Sequence, residues 1–263
     1  MASLLILHGL ASVLCGAAVS FFLALVGGGG SILAVPMMLY IVGLPNAHAA
    51  IGTAALAVAI TAYLNMIPHA KAGNVRWRSA LVFAGFGVVG AALGSSVGKQ
   101  VDGQKLLVVF ALLMFVVALL MLKPRTEPSD SEQLRPRSEL WRVCGTGLGA
   151  GGLSGFFGIG GGFLVVPGLM LATRMRILDA IGSSLFAVGS FGLTTAINYS
   201  LAGQVNLLVA IEFVIGGLLG GQLGARSAGR LAQKRGALNI AFSTMIVVVA
   251  VYMLYQSYHS ALR

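Results

Sequence analysis

Acidic residues, histidines and cysteines are scarce in this chain: seven Asp and Glu, four His and two Cys among 263 residues. Acid–base and metal-assisted catalysis gather several carboxylates, imidazoles or thiolates in one cleft, so neither is favoured and an enzyme is not expected. His8, His48 and His69 lie near the ends of apolar stretches without spaced partners, so no metal and no other cofactor is expected. Cys15 and Cys144 sit in apolar segments at a spacing that specifies neither a disulfide nor a metal site. Charge of either sign is thin, at 9% of residues against roughly 25% in soluble domains. What fills the chain instead is apolar, 57% by composition with a mean hydropathy of +0.93.

Apolar runs long enough to cross about 30 Å of hydrocarbon as helix recur along most of the sequence, with charges collected between them. The pattern predicts an all-α polytopic membrane protein, since a barrel would show short alternating strands. The net charge of +10 resides in short loops beside apolar spans. Anionic lipid headgroups and the positive-inside bias account for it, and nucleic acid is not an expected partner. The first run, residues 4–26, lacks a basic leader and is long for a signal peptide, so it reads as a retained span.

Ten segments are predicted: 4–26, 31–44, 48–69, 79–98 and 104–122, then 141–157, 162–173, 179–201, 207–225 and 237–257. The tract "KPRTEPSDSEQLRPRSE" (Lys123–Glu139) is the one polar, proline-rich stretch between them. A shift of 130 residues lays "AIGTAALAV" (Ala50–Val58) on "AIGSSLFAV" (Ala180–Val188) and "AGNV" (Ala72–Val75) on "AGQV" (Ala202–Val205). "LVGGGGSILAVP" (Leu25–Pro36) and "FFGIGGGFLVVP" (Phe156–Pro167) fall one residue from that register. The chain is therefore expected to be duplicated, with a first transmembrane repeat over 1–122, a linker over 123–140 and a second repeat over 141–263.

If all ten segments cross, 14 of the 17 Lys and Arg share one side of the membrane. If 31–44 and 162–173 do not cross, that bias nearly vanishes. Two repeats of opposite orientation are expected, each of about five helical segments, with the linker cytoplasmic and both termini outside.

Glycine runs cannot leave backbone amides unpaired in lipid, so they must be buried or line a water-filled cavity. Glycine lets a helix break and lets a ligand approach, and the segment restarting after each run offers free N–H groups at a positive dipole end. Gly28, Gly29, Gly30 and Ser31, with Gly160, Gly161 and Gly162, are therefore candidates for an anion site shared between two broken helices. Close helix packing is the alternative, and it is preferred for "GFGVVGAALG" (Gly85–Gly94) and "GGLLGGQLG" (Gly216–Gly224).

Thr53, Thr61 and Asn65 share one helical face, as do Ser183, Ser190, Thr194 and Asn198. Thr53, Asn65, Ser183, Ser184 and Asn198 are candidate ligands, because neutral donors can replace the water around an oxyanion without holding it too tightly. Bonding between helices, or back to the helix's own carbonyls, is the equally weighted alternative. Glu212 is the one carboxylate deep in a predicted span. It is a candidate for proton coupling or for an interfacial role. Asp179 is expected to cap the helix that follows it. "GLSG" (Gly152–Gly155) fits an intramembrane serine nucleophile, but the one later histidine, His259, follows the last span.

At "GIGGGFLVVPGLM" and "AIGSSLFAV", with weaker copies before the linker, the chain resembles the TauE/SafE family of sulfite and organosulfur anion exporters. The resemblance implies an inner-membrane secondary transporter of small sulfur oxyanions such as sulfite or sulfonates, working by alternating access with a proton as coupled ion. An anion channel or a permease for a different small anion, and a non-transporting membrane scaffold, are the rival expectations.

Overall fold

A computed structural model of the chain describes residues 2–122, 136–158, 162–231, 244 and 246–256. Among these residues the fold is helical without strands: α1 (Ala2–Val26), a 3-10 turn (Gly28–Leu33), α2 (Ala34–Tyr40), α3 (Ala47–Lys71), α4 (Trp77–Gly98), α5 (Gly103–Leu122), α6 (Pro136–Phe157), α7 (Gly162–Thr173), α8 (Ile177–Ser200), α9 (Leu207–Leu231) and α10 (Ile246–Gln256). Five of them, α1, α3, α4, α8 and α9, are long and apolar enough to cross a membrane. Most of the predicted linker lies outside the described residues, as does the start of the last predicted segment.

Local chemistry sets the helix ends. The Asn46 side chain accepts the Ala49 N–H at 2.7 Å and opens α3, and Asn206 does the same for Val209 at 3.2 Å to open α9. Asp102 Oδ1 accepts the N–H groups of Gln104 and Lys105 at the head of α5. Asp179 is not the cap predicted for it. α8 starts two residues earlier, and Asp179 lies in its first turn with its carboxylate between Arg76 and Arg176.

α1 ends because Gly27 adopts φ 76° and ψ −154°, a combination open essentially to glycine alone. The chain then doubles back: a Cβ on Gly30 would stand 2.3 Å from the Leu23 amide nitrogen, and His8 Nδ1 lies 3.0 Å from the Val42 carbonyl oxygen. The return from Val26 to the level of His8 covers the same 18 residues of α1, about 27 Å.

Every left-handed residue described before the linker has a counterpart after it. Gly27 and Gly43 match Gly158 and Arg174 at a spacing of 131, and Gly73 matches Gly203 at 130.

α3 and α8 are the most enclosed of the five long helices and lie against each other. They run antiparallel, since Gly52 packs on Tyr199, Gly192 on Ala55 and Ala59, and Gly182 on His69. α1 packs along α9, and α4 along α6, each pair running parallel through glycine contacts. A methyl on Gly216, Gly220 or Gly224 of α9 would sit 1.8 to 2.3 Å from carbonyl oxygens of Val13, Ala17 and Phe21 on α1. Gly90, Gly94 and Gly98 of α4 meet Leu148, Gly152 and Phe156 of α6 in the same way, at 2.0 to 2.6 Å. These stripes are packing surfaces, as their isolated GxxxG-type spacing predicts. Large apolar side chains face outward along α4 and α9, including Leu81, Val89, Leu93, Ile211, Leu219 and Leu223, as lipid-facing surfaces do.

Candidate functional site

The sequence places its recurring motifs on the enclosed pair, and the structure brings each copy against the other. Thr53 Oγ1, in the second turn of α3, accepts the N–H of Asn206 at 2.9 Å, in the loop that opens α9. Ser183 Oγ, in the matching turn of α8, accepts the N–H of Arg76 at 2.9 Å, in the loop that opens α4. The preceding glycines permit this approach, since a methyl on Gly52 would lie 2.2 Å from the Gln204 carbonyl oxygen and one on Gly182 the same distance from that of Asn74. "AIGT" therefore docks "AGQV", and "AIGS" docks "AGNV".

The Ser183 end carries charge as well. The Asp179 carboxylate, with a side chain 3% exposed, is held by Arg76 Nε at 3.2 Å and by Arg176 Nη2 at 3.3 Å.

Each glycine turn rests on the first turns of the enclosed helix from the other side of the linker. A Cβ on Gly27 would be 3.0 Å from Ser184 Oγ and 3.2 Å from Ile181 Cα on α8, and one on Gly158 would be 2.0 Å from Ile51 Cγ2 on α3. α7 also meets the Gly28–Leu33 turn, with Val166 against Gly27. Because Gly182 packs on His69, Gly27 lies at the far end of α3 from Gly158, and residues 51 and 69 are about 27 Å apart along that helix.

The first run is thus placed beside Ser184, with Ser31 buried and with the amides of Gly28 and Gly29 ahead of the first bonded turn. Gly160 and Gly161 lie outside the described residues, and Gly162 opens α7. Ser184 donates to the Ile181 carbonyl of its own helix at 2.7 Å. Thr61, Ser190 and Thr194 do likewise, as the bonding alternative anticipates.

Asn65 and Asn198 are not gathered with the glycine turns. Asn65 donates to Ser20 Oγ at 2.9 Å and stands where a methyl on Gly221 would fall, locking α1, α3 and α9 together. Asn198 donates to Ser95 and Ser96 and accepts Lys99 Nζ at 2.5 Å, at the last turn of α8. Glu212 borders α1, with Oε1 3.0 Å from the Cβ position of Gly9.

An enclosed antiparallel helix pair inside a shell of lipid-facing helices, with glycine turns at both ends, defines a multi-pass membrane protein rather than a soluble or surface-bound one. The chain belongs to the family described as "Sulfite exporter TauE/SafE", which it matches over residues 12–253. That family is one of membrane transporters, not of enzymes. A probable membrane transporter protein of Xylella fastidiosa strain Temecula1 is 50% identical over 249 residues, covering 93% of this chain and 94% of its own. The probable membrane transporter protein YunE of Bacillus subtilis strain 168 is 26% identical over 258 residues, covering 90% and 94%. No solved structure matches the chain.

Proposed function

We propose that this protein is a secondary transporter of small sulfur oxyanions, sulfite or organosulfonates, in the inner membrane, with export as its working direction. One observation carries the reading: corresponding helices α3 and α8 are enclosed and antiparallel, and each is docked by a loop and a glycine turn from the other side of the linker. Residues 1–122 and 141–263 are then two repeats of inverted topology, joined by a cytoplasmic linker, with both termini periplasmic. The return of the chain along α1 to His8 supports a full crossing by residues 27–42, and such a crossing gives the basic residues a 14-to-3 bias in keeping with the positive-inside rule.

In this reading the two docked ends are alternately opened barriers, and the anion passes between α3 and α8. Gly28 and Gly29 offer backbone N–H groups at one end, beside Gly30, Ser31 and Ser184, and Gly160, Gly161 and Gly162 are the candidate ligands of the second run. Thr53 and Ser183 act by closing the ends. Asn65 and Asn198 fix the helices that border the path, and Glu212 is the candidate for proton coupling.

The test is flux of labelled sulfite, methanesulfonate and sulfate in proteoliposomes, with and without an imposed proton gradient. Uphill movement of sulfite that collapses with the gradient supports the proposal. Flux that only ever runs downhill identifies a passive pore, and flux equal to that of empty liposomes defeats transport of these anions.

A further inference from the structure

Among the described residues five buried side-chain nitrogen or oxygen atoms have no hydrogen-bond partner, and three of them, His48 Nδ1, Tyr199 Oη and Gln204 Oε1, share one neighbourhood. The rings of His48 and Tyr199 are 6.1 Å apart between centroids. A methyl on Gly52 would lie 2.9 Å from Tyr199 Cβ and 2.2 Å from the backbone carbonyl oxygen of Gln204, which places the two residues side by side. The three residues come from the first turn of α3, the last turn of α8 and the loop before α9.

Tyr199 is fully enclosed, yet its hydroxyl bonds to nothing. Leaving such a group unpaired is costly, and natural folds retain few of them. The duplication supplies an internal comparison. The residue 130 positions before Tyr199 is His69, whose Nε2 lies 3.2 Å from the Ala24 carbonyl oxygen. At the same station of the fold, one copy is satisfied and the other presents open polar atoms.

We infer that His48, Tyr199 and Gln204 form a binding subsite for a small oxyanion at the end of the enclosed pair where α3 begins; this rests on the transport reading above. The chemistry suits that ligand. A phenol hydroxyl and an imidazole N–H are donors, and rotation of the Gln204 amide presents its NH2 group. His48 stands in the first turn of a 25-residue helix, whose dipole favours negative charge. Lys99 Nζ bonds the carbonyl oxygen of Asn198, the residue before Tyr199, at 3.1 Å, while the nearby Asp102 carboxylate is occupied by the amides at the head of α5.

The test titrates sodium sulfite and methanesulfonate into the purified full-length protein by calorimetry, alongside proteoliposome flux. Tyr199→Phe and Gln204→Met are compared with wild type and with Thr195→Val, which removes an unpartnered hydroxyl elsewhere. Each of the two site variants is expected to weaken binding by about tenfold or more. Without ligand, Tyr199→Phe should melt no lower than wild type, because it removes an unpaired polar atom rather than a bond; Thr195→Val should bind normally. If wild type binds and both site variants match it, the subsite is wrong and the transport reading stands. If wild type neither binds nor carries either anion, both fall together.

Discussion

Thr53 Oγ1 accepts the backbone N–H of Asn206 at 2.9 Å across 153 residues of sequence, and 130 positions further on Ser183 accepts that of Arg76 at the same distance. The two bonds are one contact made twice, once at each end of the α3–α8 pair. Each spares a loop amide the loss of hydrogen bonding in an apolar interior. Together they tie the opening of one long helix to the enclosed helix from across the linker.

Removal of either acceptor should therefore destabilise its own end. Thr53→Val and Ser183→Ala are each expected to lower stability by about 1–3 kcal/mol, the cost of a buried amide left without its partner. The double variant should be additive, because the sites stand at opposite ends of α3. Thr53→Ser should restore the bond. Thermal melts of the purified variants check all three.

Gly27 should tolerate no side chain. Its φ of 76° with ψ −154° is hostile to L residues, and a Cβ would press on Ser184 and Val166 at 3.0 Å. Gly27→Ala is expected to cost at least about 1–3 kcal/mol and to reduce transport, whereas Gly73→Asn, at a left-handed position open to space, should be mild. Melting temperature and sulfite flux report the contrast.

Glycines of the packing stripes should divide sharply from glycines that face outward. Gly220→Leu and Gly94→Leu drive a side chain into a facing carbonyl and are expected to abolish folded, monodisperse protein. Gly85→Ala meets nothing within 4 Å and should be neutral or stabilise by about 0.5–1 kcal/mol through helix propensity. Size-exclusion profiles after detergent extraction distinguish them.

Asp179→Asn should loosen the Arg76 loop without emptying the site. Its two arginine partners have side chains 57% and 75% exposed, so the expected loss is modest, about 1 kcal/mol. Hydrogen exchange over residues 72–76 should rise more than over 201–206. Equal change in both loops would contradict local action.

The sequence exposes the helices well, because uninterrupted apolar runs leave little ambiguity about length and glycines such as Gly27, Gly73 and Gly203 fall where they stop, whereas Pro68 and Pro167 lie inside helices. The predicted 162–173 and 207 boundaries coincide with α7 and with the start of α9. The meaning of the repeated motifs is harder to read. A small residue followed by a hydroxyl serves a bound anion and a docked loop equally, and only the fold reveals that "AIGT" and "AGQV" are each other's partners. Likewise, duplication does not reveal at which depth the two glycine turns lie. His48, Tyr199 and Gln204 escape a motif search because they come from three elements and no two are spaced as ligands. The available signal is the alignment of Tyr199 with His69 and of Gln204 with Asn74, polar against polar across the duplication.

Inverted pairing is the foundation of the transport reading, and sidedness of two loops tests it most directly. Lys71→Cys and Leu201→Cys, each made in a Cys15→Ser, Cys144→Ser background, place single thiols at exposed positions beside the two docked loops. With a membrane-impermeant maleimide applied to intact spheroplasts, the account predicts labelling at residue 201 alone, with residue 71 reacting only after the membrane is opened. Labelling of both thiols from one face of the sealed membrane would contradict it.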